Sequence, residues 1–168
     1  MARILMVIAP ADFRDEELFR PKEVFEKKGF QVTVASKEIG RAEGMLGGTA
    51  QVDKRIESVD TDEYDAVVFV GGSGASIYFD DETALKIARK AESSKKVVGA
   101  ICIAPSILAN AGVLKGKNAT CYPSEKENLS AKGAKYTGNG VTMDGRIVTA
   151  DGPKSAEEFG IKIAELLE

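Results

Sequence analysis

Apolar residues fall along this chain in short blocks, and the period of each block decides what it can build. ARILMVIA (2–9) is an almost unbroken apolar run of strand length and reads as a first buried strand. Residues 16–28 read as a helix, with Gly29 as the left-handed residue that ends it and Pro21 expected in the first turn or at a kink. QVTVASK (31–37), YDAVVFV (64–70) and VVGAI (97–101) supply three further strands. Between them, the Gly-rich stretch 39–58 suggests a small hairpin or edge excursion. The helix ETALKIARKAESS puts Ala84, Ile87, Ala88 and Ala91 on one face and takes Asp80 or Asp81 as its cap. At Cys102 the period changes from strand to helix, and 105–111 forms a helix ended by Gly112.

The remainder continues the alternation. ATCYP (119–123) is a short strand, SEKENLSAKG a polar helix, and Asp144-Gly145 the tight turn of a hairpin within 140–150. SAEEFGIKIAELLE closes the chain as an amphipathic helix, with Ser155 and Glu158 matching a capping box. Strands alternating with helices predict one α/β domain over 1–168: a flavodoxin-like doubly wound sandwich, its sheet mostly parallel with a small hairpin.

Composition narrows the chemistry. At 168 residues, 43% of them hydrophobic, the chain can bury a core, and its net charge of −3 with no strongly basic stretch argues against nucleic acid and anionic membranes as partners. No run reaches the roughly 20 apolar residues of a membrane span. The opening apolar run meets Pro10 and Asp12 and is too short for a signal segment, so a cytoplasmic protein is expected. There is no histidine, and the two cysteines, Cys102 and Cys121, lack CxxC spacing. A zinc site would have to be filled mostly by carboxylates, so neither metal nor cofactor is expected.

In a doubly wound fold the working face lies at the carboxyl ends of the strands. Three loops meet there: PADFRDEE after the first strand, GGSG after the third, and Cys102 after the fourth. GGSGAS lacks both the third glycine of a dinucleotide fingerprint and the Lys-Ser/Thr of a P-loop. It is either a plain turn or an oxyanion site, in which Gly71 and Gly72 let backbone N–H groups approach a ligand. Cys102, at a helix start, has N–H groups and a dipole that favour thiolate, which places its pKa in the roughly 3.5 to 7.5 range of activated cysteines. Position alone leaves Cys102 a catalyst, a redox sensor or a small core residue, while Cys121 reads as structural.

The stretch AICIAPSILANAGVLKGK resembles the DJ-1/PfpI superfamily, whose members carry A-[IV]-C-x-x-P before a helix and a "GVL-GK/R" turn. DFRDEEL, the strand ending in VGG, TCYPS and DGRIVTADGP extend the match in order along nearly the whole chain. The resemblance implies a cysteine nucleophile at Cys102 and a protonated glutamate, at Glu17, hydrogen-bonded to its sulfur. It implies cofactor-free chemistry on small reactive aldehydes such as methylglyoxal, or on glycated groups. A homo-oligomer, dimer or hexamer, is implied as well. The alternatives are a redox sensor or chaperone with an oxidisable cysteine, and an intracellular cysteine peptidase.

Departures from the pattern separate these branches. Peptidase members carry histidine after the cysteine, where this chain has Ile103, and an acid after the GG turn, where it has Ser76. With no histidine anywhere, a Cys-His pair cannot be assembled. Other members place a histidine after the fifth strand, where Tyr122 stands here as a substrate contact or a half-buried aromatic.

Overall fold

The computed structural model describes all 168 residues. In chain order the strands are β1 (Arg3–Val7), β2 (Ala11–Phe13), β3 (Gln31–Ser36), β4 (Gly40–Gly44), β5 (Thr49–Val52), β6 (Lys54–Arg55), β7 (Ala66–Phe69), β8 (Val97–Ile101), β9 (Asn118–Ala119), β10 (Lys135–Tyr136), β11 (Val141–Asp144) and β12 (Ile147–Ala150). The α-helices are α1 (Asp15–Lys27), α2 (Glu82–Ser93), α3 (Pro105–Asn110), α4 (Lys126–Ala131) and α5 (Ala156–Leu167).

Seven strands form the central sheet in the order β11-β12-β8-β7-β1-β3-β6. Every neighbouring pair in it is parallel except β11 on β12. Strand side chains alternate faces, so the sheet feeds two cores. Leu5, Val7, Val67, Phe69, Val98 and Ala100 pack with α2 and α3; Ile4, Met6, Val68, Val97 and Ile101 pack with α1 and α5. From β1 the chain runs outward to β3 on one side and to β7, β8 and β12 on the other. This reversal opens a crevice at the carboxyl ends of β1 and β7. The Gly-rich stretch is the β4–β5 hairpin, to which β2 adds a third strand. No helix is long and apolar enough to cross a membrane.

Local expectations fare differently according to what the tertiary structure demands. Asp81, not Asp80, caps α2 by accepting from the Ala84 N–H at 3.0 Å, and Gly29 ends α1 at φ 80°. Pro21 lies in the second turn of α1, beyond where a proline is free of cost, and leaves the Glu17 carbonyl without its usual intrahelical donor. It packs closely on α5, where a Cβ on Gly160 would stand 2.8 Å from the Pro21 Cα. The strand expected at 119–123 is only β9, so Cys121 follows a strand instead of lying in one. The β11–β12 turn is Gly145-Arg146, one residue later than expected. Ser155 makes no capping bond, because its hydroxyl donates to Asp151 Oδ1 at 2.7 Å.

Candidate active site

Cys102 occupies the sharp turn from β8 into α3 with φ 64°, a left-handed conformation costing a non-glycine residue roughly 1–2 kcal/mol. Two backbone bonds hold it there. Its N–H donates to Ala150 at 2.9 Å, and its carbonyl accepts from the Tyr122 N–H at 2.8 Å. Strand, strained turn and helix is the arrangement that lifts a nucleophile out of a sheet. The residue is partly exposed, whereas Cys121 is fully buried.

The three acids at the start of α1 have three separate jobs. Asp15 accepts from the N–H groups of Leu46 and Gly48, both at 2.8 Å, and so ties the β4–β5 hairpin to the helix. Glu16 holds the Arg14 guanidinium through Nε at 2.9 Å and Nη2 at 3.1 Å. Glu17 turns inward, fully buried, onto the same stripe as Leu18, Pro21 and Phe25. Neither of its oxygens makes a hydrogen bond of ordinary geometry. The polar groups that still bear on them include the Cys102 thiol and the Gly71 amide.

Burial dominates the ionisation of this pair, pushing Glu17 up to about 8 and Cys102 up to about 12. The ionised carboxyl adds to the rise at sulfur, because a thiolate there would be the second negative charge in one site. Opposing it are the backbone N–H groups of Gly72 and Ile103, which favour the thiolate. The thiol strongly depressed by a helix start, expected from sequence, is therefore not what this environment favours. α3 has only six residues and begins three positions after Cys102. The carboxyl gives up its proton near pH 8 while the thiol holds its own beyond that, so the thiolate is the minor form at neutral pH. Alkylation of Cys102 is accordingly expected to keep rising with pH beyond 8. A plateau already reached below pH 7 would mean that the converging donors outweigh burial.

The same shift predicts a stability profile. Unfolded, Glu17 loses its proton near its ordinary 4.5; folded, it keeps it to about 8. The folded state binds the extra proton between these values, so stability falls as pH rises through that window. Glu17→Leu is expected to flatten the fall with the fold intact, and denaturant titration at pH 5 and 8 measures it. Equal damage from Glu16→Leu would sink the assignment.

The expected oxyanion pair is rearranged by the geometry. Gly71 is wedged between Glu17 and Cys102: a Cβ there would collide with Glu17 Oε1 and stand 2.6 Å from the Cys102 Cβ. Its carbonyl accepts from the Arg14 N–H at 2.9 Å. The N–H groups at sulfur are those of Gly72 and Ile103, so Ile103 contributes its backbone to the site. Gly72 sits at φ 103° against the backbone of Asp12 and Phe13, which closes the turn onto the α1 loop. Ser76 bonds only to its own turn, donating to the Ser73 carbonyl at 3.2 Å.

Next to the Cys102 turn lies a cleft of about 600 Å³, with Arg14, Arg20, Tyr122, Asp151, Lys154 and Glu157 among its lining residues. Tyr122 is 47% exposed on this wall. The charged wall was not anticipated from sequence, although Arg14 lies within DFRDEEL and Asp151 within DGRIVTADGP. No group of three acidic or thiol side chains is placed to hold a metal ion.

Residues 2–166 match the DJ-1/PfpI family. A deglycase of Pyrococcus abyssi is 36% identical over 98% of this chain and 99% of its own. A glutathione-independent glyoxalase of Caenorhabditis elegans is 27% identical, over 98% of this chain and 88% of its own. The crystal structure of a ThiJ/PfpI domain protein from Brachyspira murdochii superposes with a TM-score of 0.96 at 36% identity, over 98% of this chain and 95% of that one.

Proposed function

The chain belongs to the DJ-1/PfpI family, and from that premise we propose that it is a cofactor-free glyoxalase or deglycase with Cys102 as nucleophile and Glu17 as proton carrier. One observation carries the reading: a partly exposed cysteine on a strained turn faces a fully buried carboxyl that keeps its proton to about 8. The thiolate adds to the aldehyde carbon of methylglyoxal, and the new alkoxide takes the Glu17 proton. The resulting carboxylate removes the hydrogen from that carbon and returns a proton to the adjacent one, leaving a thioester. Water cleaves the thioester, releasing lactate and restoring the thiol. The N–H groups of Gly72 and Ile103 stand where transient negative charge beside sulfur needs donors.

The test is sustained formation of lactate from methylglyoxal by homogeneous protein, without glutathione or added metal, over many equivalents of enzyme. A single stoichiometric modification of Cys102 instead would favour the redox-sensor reading, which the partial exposure of the same thiol also supports. Oxidation is a separate expectation. Mild peroxide should carry Cys102 to sulfinic acid before Cys121, which burial shields, and peptide mass spectrometry showing the reverse order would contradict it.

Amide cleavage makes a different demand. A poor amine leaving group must be protonated, a task histidine normally performs, and Ile103 puts only a backbone N–H near the sulfur. Rigorously purified protein is therefore expected to leave casein intact, and Cys102-dependent cleavage would overturn this.

A further inference from the structure

We propose that Arg14 is the substrate-orienting cation of this site and that the cleft selects α-oxo aldehydes carrying a carboxylate. The inference rests on the nucleophile assignment above and adds a substrate class to it.

Arg14 is built into the active-site turn at both ends. Its backbone N–H donates to the Gly71 carbonyl at 2.9 Å, which sets the residue at the base of the glycine turn. Its side chain lines the cleft, and Glu16 grips one edge of the guanidinium through Nε and Nη2. Nη1 and the second Nη2 hydrogen are left without a protein partner. A guanidinium fixed in plane by one carboxylate and open on another edge suits a second, planar oxyanion. Its charge also reaches both Glu17 and Cys102. In a chain without histidine, no other side chain combines this reach with a place on the cleft wall.

The hydrogen-bond accounting of the cleft sets the sign of the ligand. Two of its three carboxylates are engaged, Glu16 by Arg14 and Asp151 by the Ser155 hydroxyl. Glu157 is the acid that remains. Against it stand the open edge of Arg14, together with Arg20 and Lys154, neither of which forms an ion pair. Free donors thus exceed free acceptors, although the formal charges of the wall cancel. A substrate reaching Cys102 with its aldehyde and Arg14 with a carboxylate satisfies both groups. 4,5-Dioxopentanoate is such a compound. The same internal proton shift and one water convert it to 2-hydroxyglutarate, with no external oxidant or reductant.

The experiment compares kcat/KM for 4,5-dioxopentanoate and methylglyoxal in the wild type, Arg14→Gln and Arg14→Lys, with thermal unfolding as the check on folding. A charge-assisted hydrogen bond predicts a preference of about tenfold or more for the carboxylate compound. The preference should fall towards unity in Arg14→Gln and persist in part in Arg14→Lys. A second readout does not depend on turnover: the ratio of Cys102 alkylation by iodoacetate to that by iodoacetamide. Relative to a free thiol this ratio should be raised in the wild type and lost in Arg14→Gln. A wild-type ratio equal to that of a free thiol, or a raised ratio unchanged in Arg14→Gln, overturns the proposal. If neither dicarbonyl is turned over while the alkylation ratio responds to Arg14, the enzyme reading fails and the anion site stands.

Discussion

Methylglyoxal turnover should drop to the uncatalysed background in Cys102→Ser, survive in Cys121→Ser, and fall on the order of 10²- to 10⁴-fold in Glu17→Gln. The three outcomes follow from different physics. Serine keeps the shape of the turn, but its hydroxyl ionises far above a thiol, and two N–H groups with one carboxyl cannot compensate. Cys121 is fully buried in the core packed against α2 and α3, so trimming its sulfur changes packing and leaves the reacting atoms alone. Glu17→Gln preserves volume inside the core yet cannot release and recover a proton, so the transfer between adjacent carbons loses its carrier. Lactate formation unchanged by Cys102→Ser would assign the activity to a contaminant or to lysine and arginine chemistry. A Glu17→Gln enzyme as fast as wild type would move the proton transfer to another group, with Tyr122 the first to examine because it lines the same cleft.

Gly71→Ala should damage the site directly at the contact between Glu17 and Cys102. The new Cβ would collide with Glu17 Oε1 and stand 2.5 Å from the Ile101 carbonyl oxygen and 2.6 Å from the Cys102 Cβ. The last two belong to the strand end and the strained turn, so neither can swing away as a long side chain would. Overpacking of this kind costs about 1–3 kcal/mol. The separation it forces between carboxyl and sulfur should lower turnover on the order of 10²-fold, as a displacement of about 1 Å at reacting groups does. Thermal unfolding and kcat/KM measured together provide the check. A variant with both values near wild type would mean that Glu17 and Cys102 do not act as a packed pair.

Much of this molecule is written in its local pattern. The parallel strands are short runs of β-branched and aliphatic residues, and a block buried on both faces has few alternatives to becoming an interior strand. Cys102 could be placed at a strand-to-helix junction because the apolar period changes there. Glu17 was singled out only by family resemblance, yet the helix carries its own signal. Glu17 precedes Pro21 by four residues and Phe25 by eight, and both are buried on α1, so helical phase alone sets it on the inward stripe. Asp15 was invisible in that respect, since its partners, the N–H groups of Leu46 and Gly48, lie some thirty positions away.

What the sequence could not decide is what depends on groups brought together from distant segments. The ionisation of Cys102 is one case: a helix start argues for an easily formed thiolate, while burial and the Glu17 carboxyl argue against it. Desolvation is a property of everything packed around an atom, and no local rule contains it. The fate of Ser155 is a local competition instead: its hydroxyl serves Asp151, four residues earlier, and leaves the capping pattern unused. The cleft wall is assembled from the start of α1, the segment after β9 and the segment after β12, each ordinary as sequence. Periodicity records which residues leave water, so strands, helices and the burial of Glu17 are determined locally. Charge, reach and proton affinity are set by neighbours, and only the folded chain supplies them.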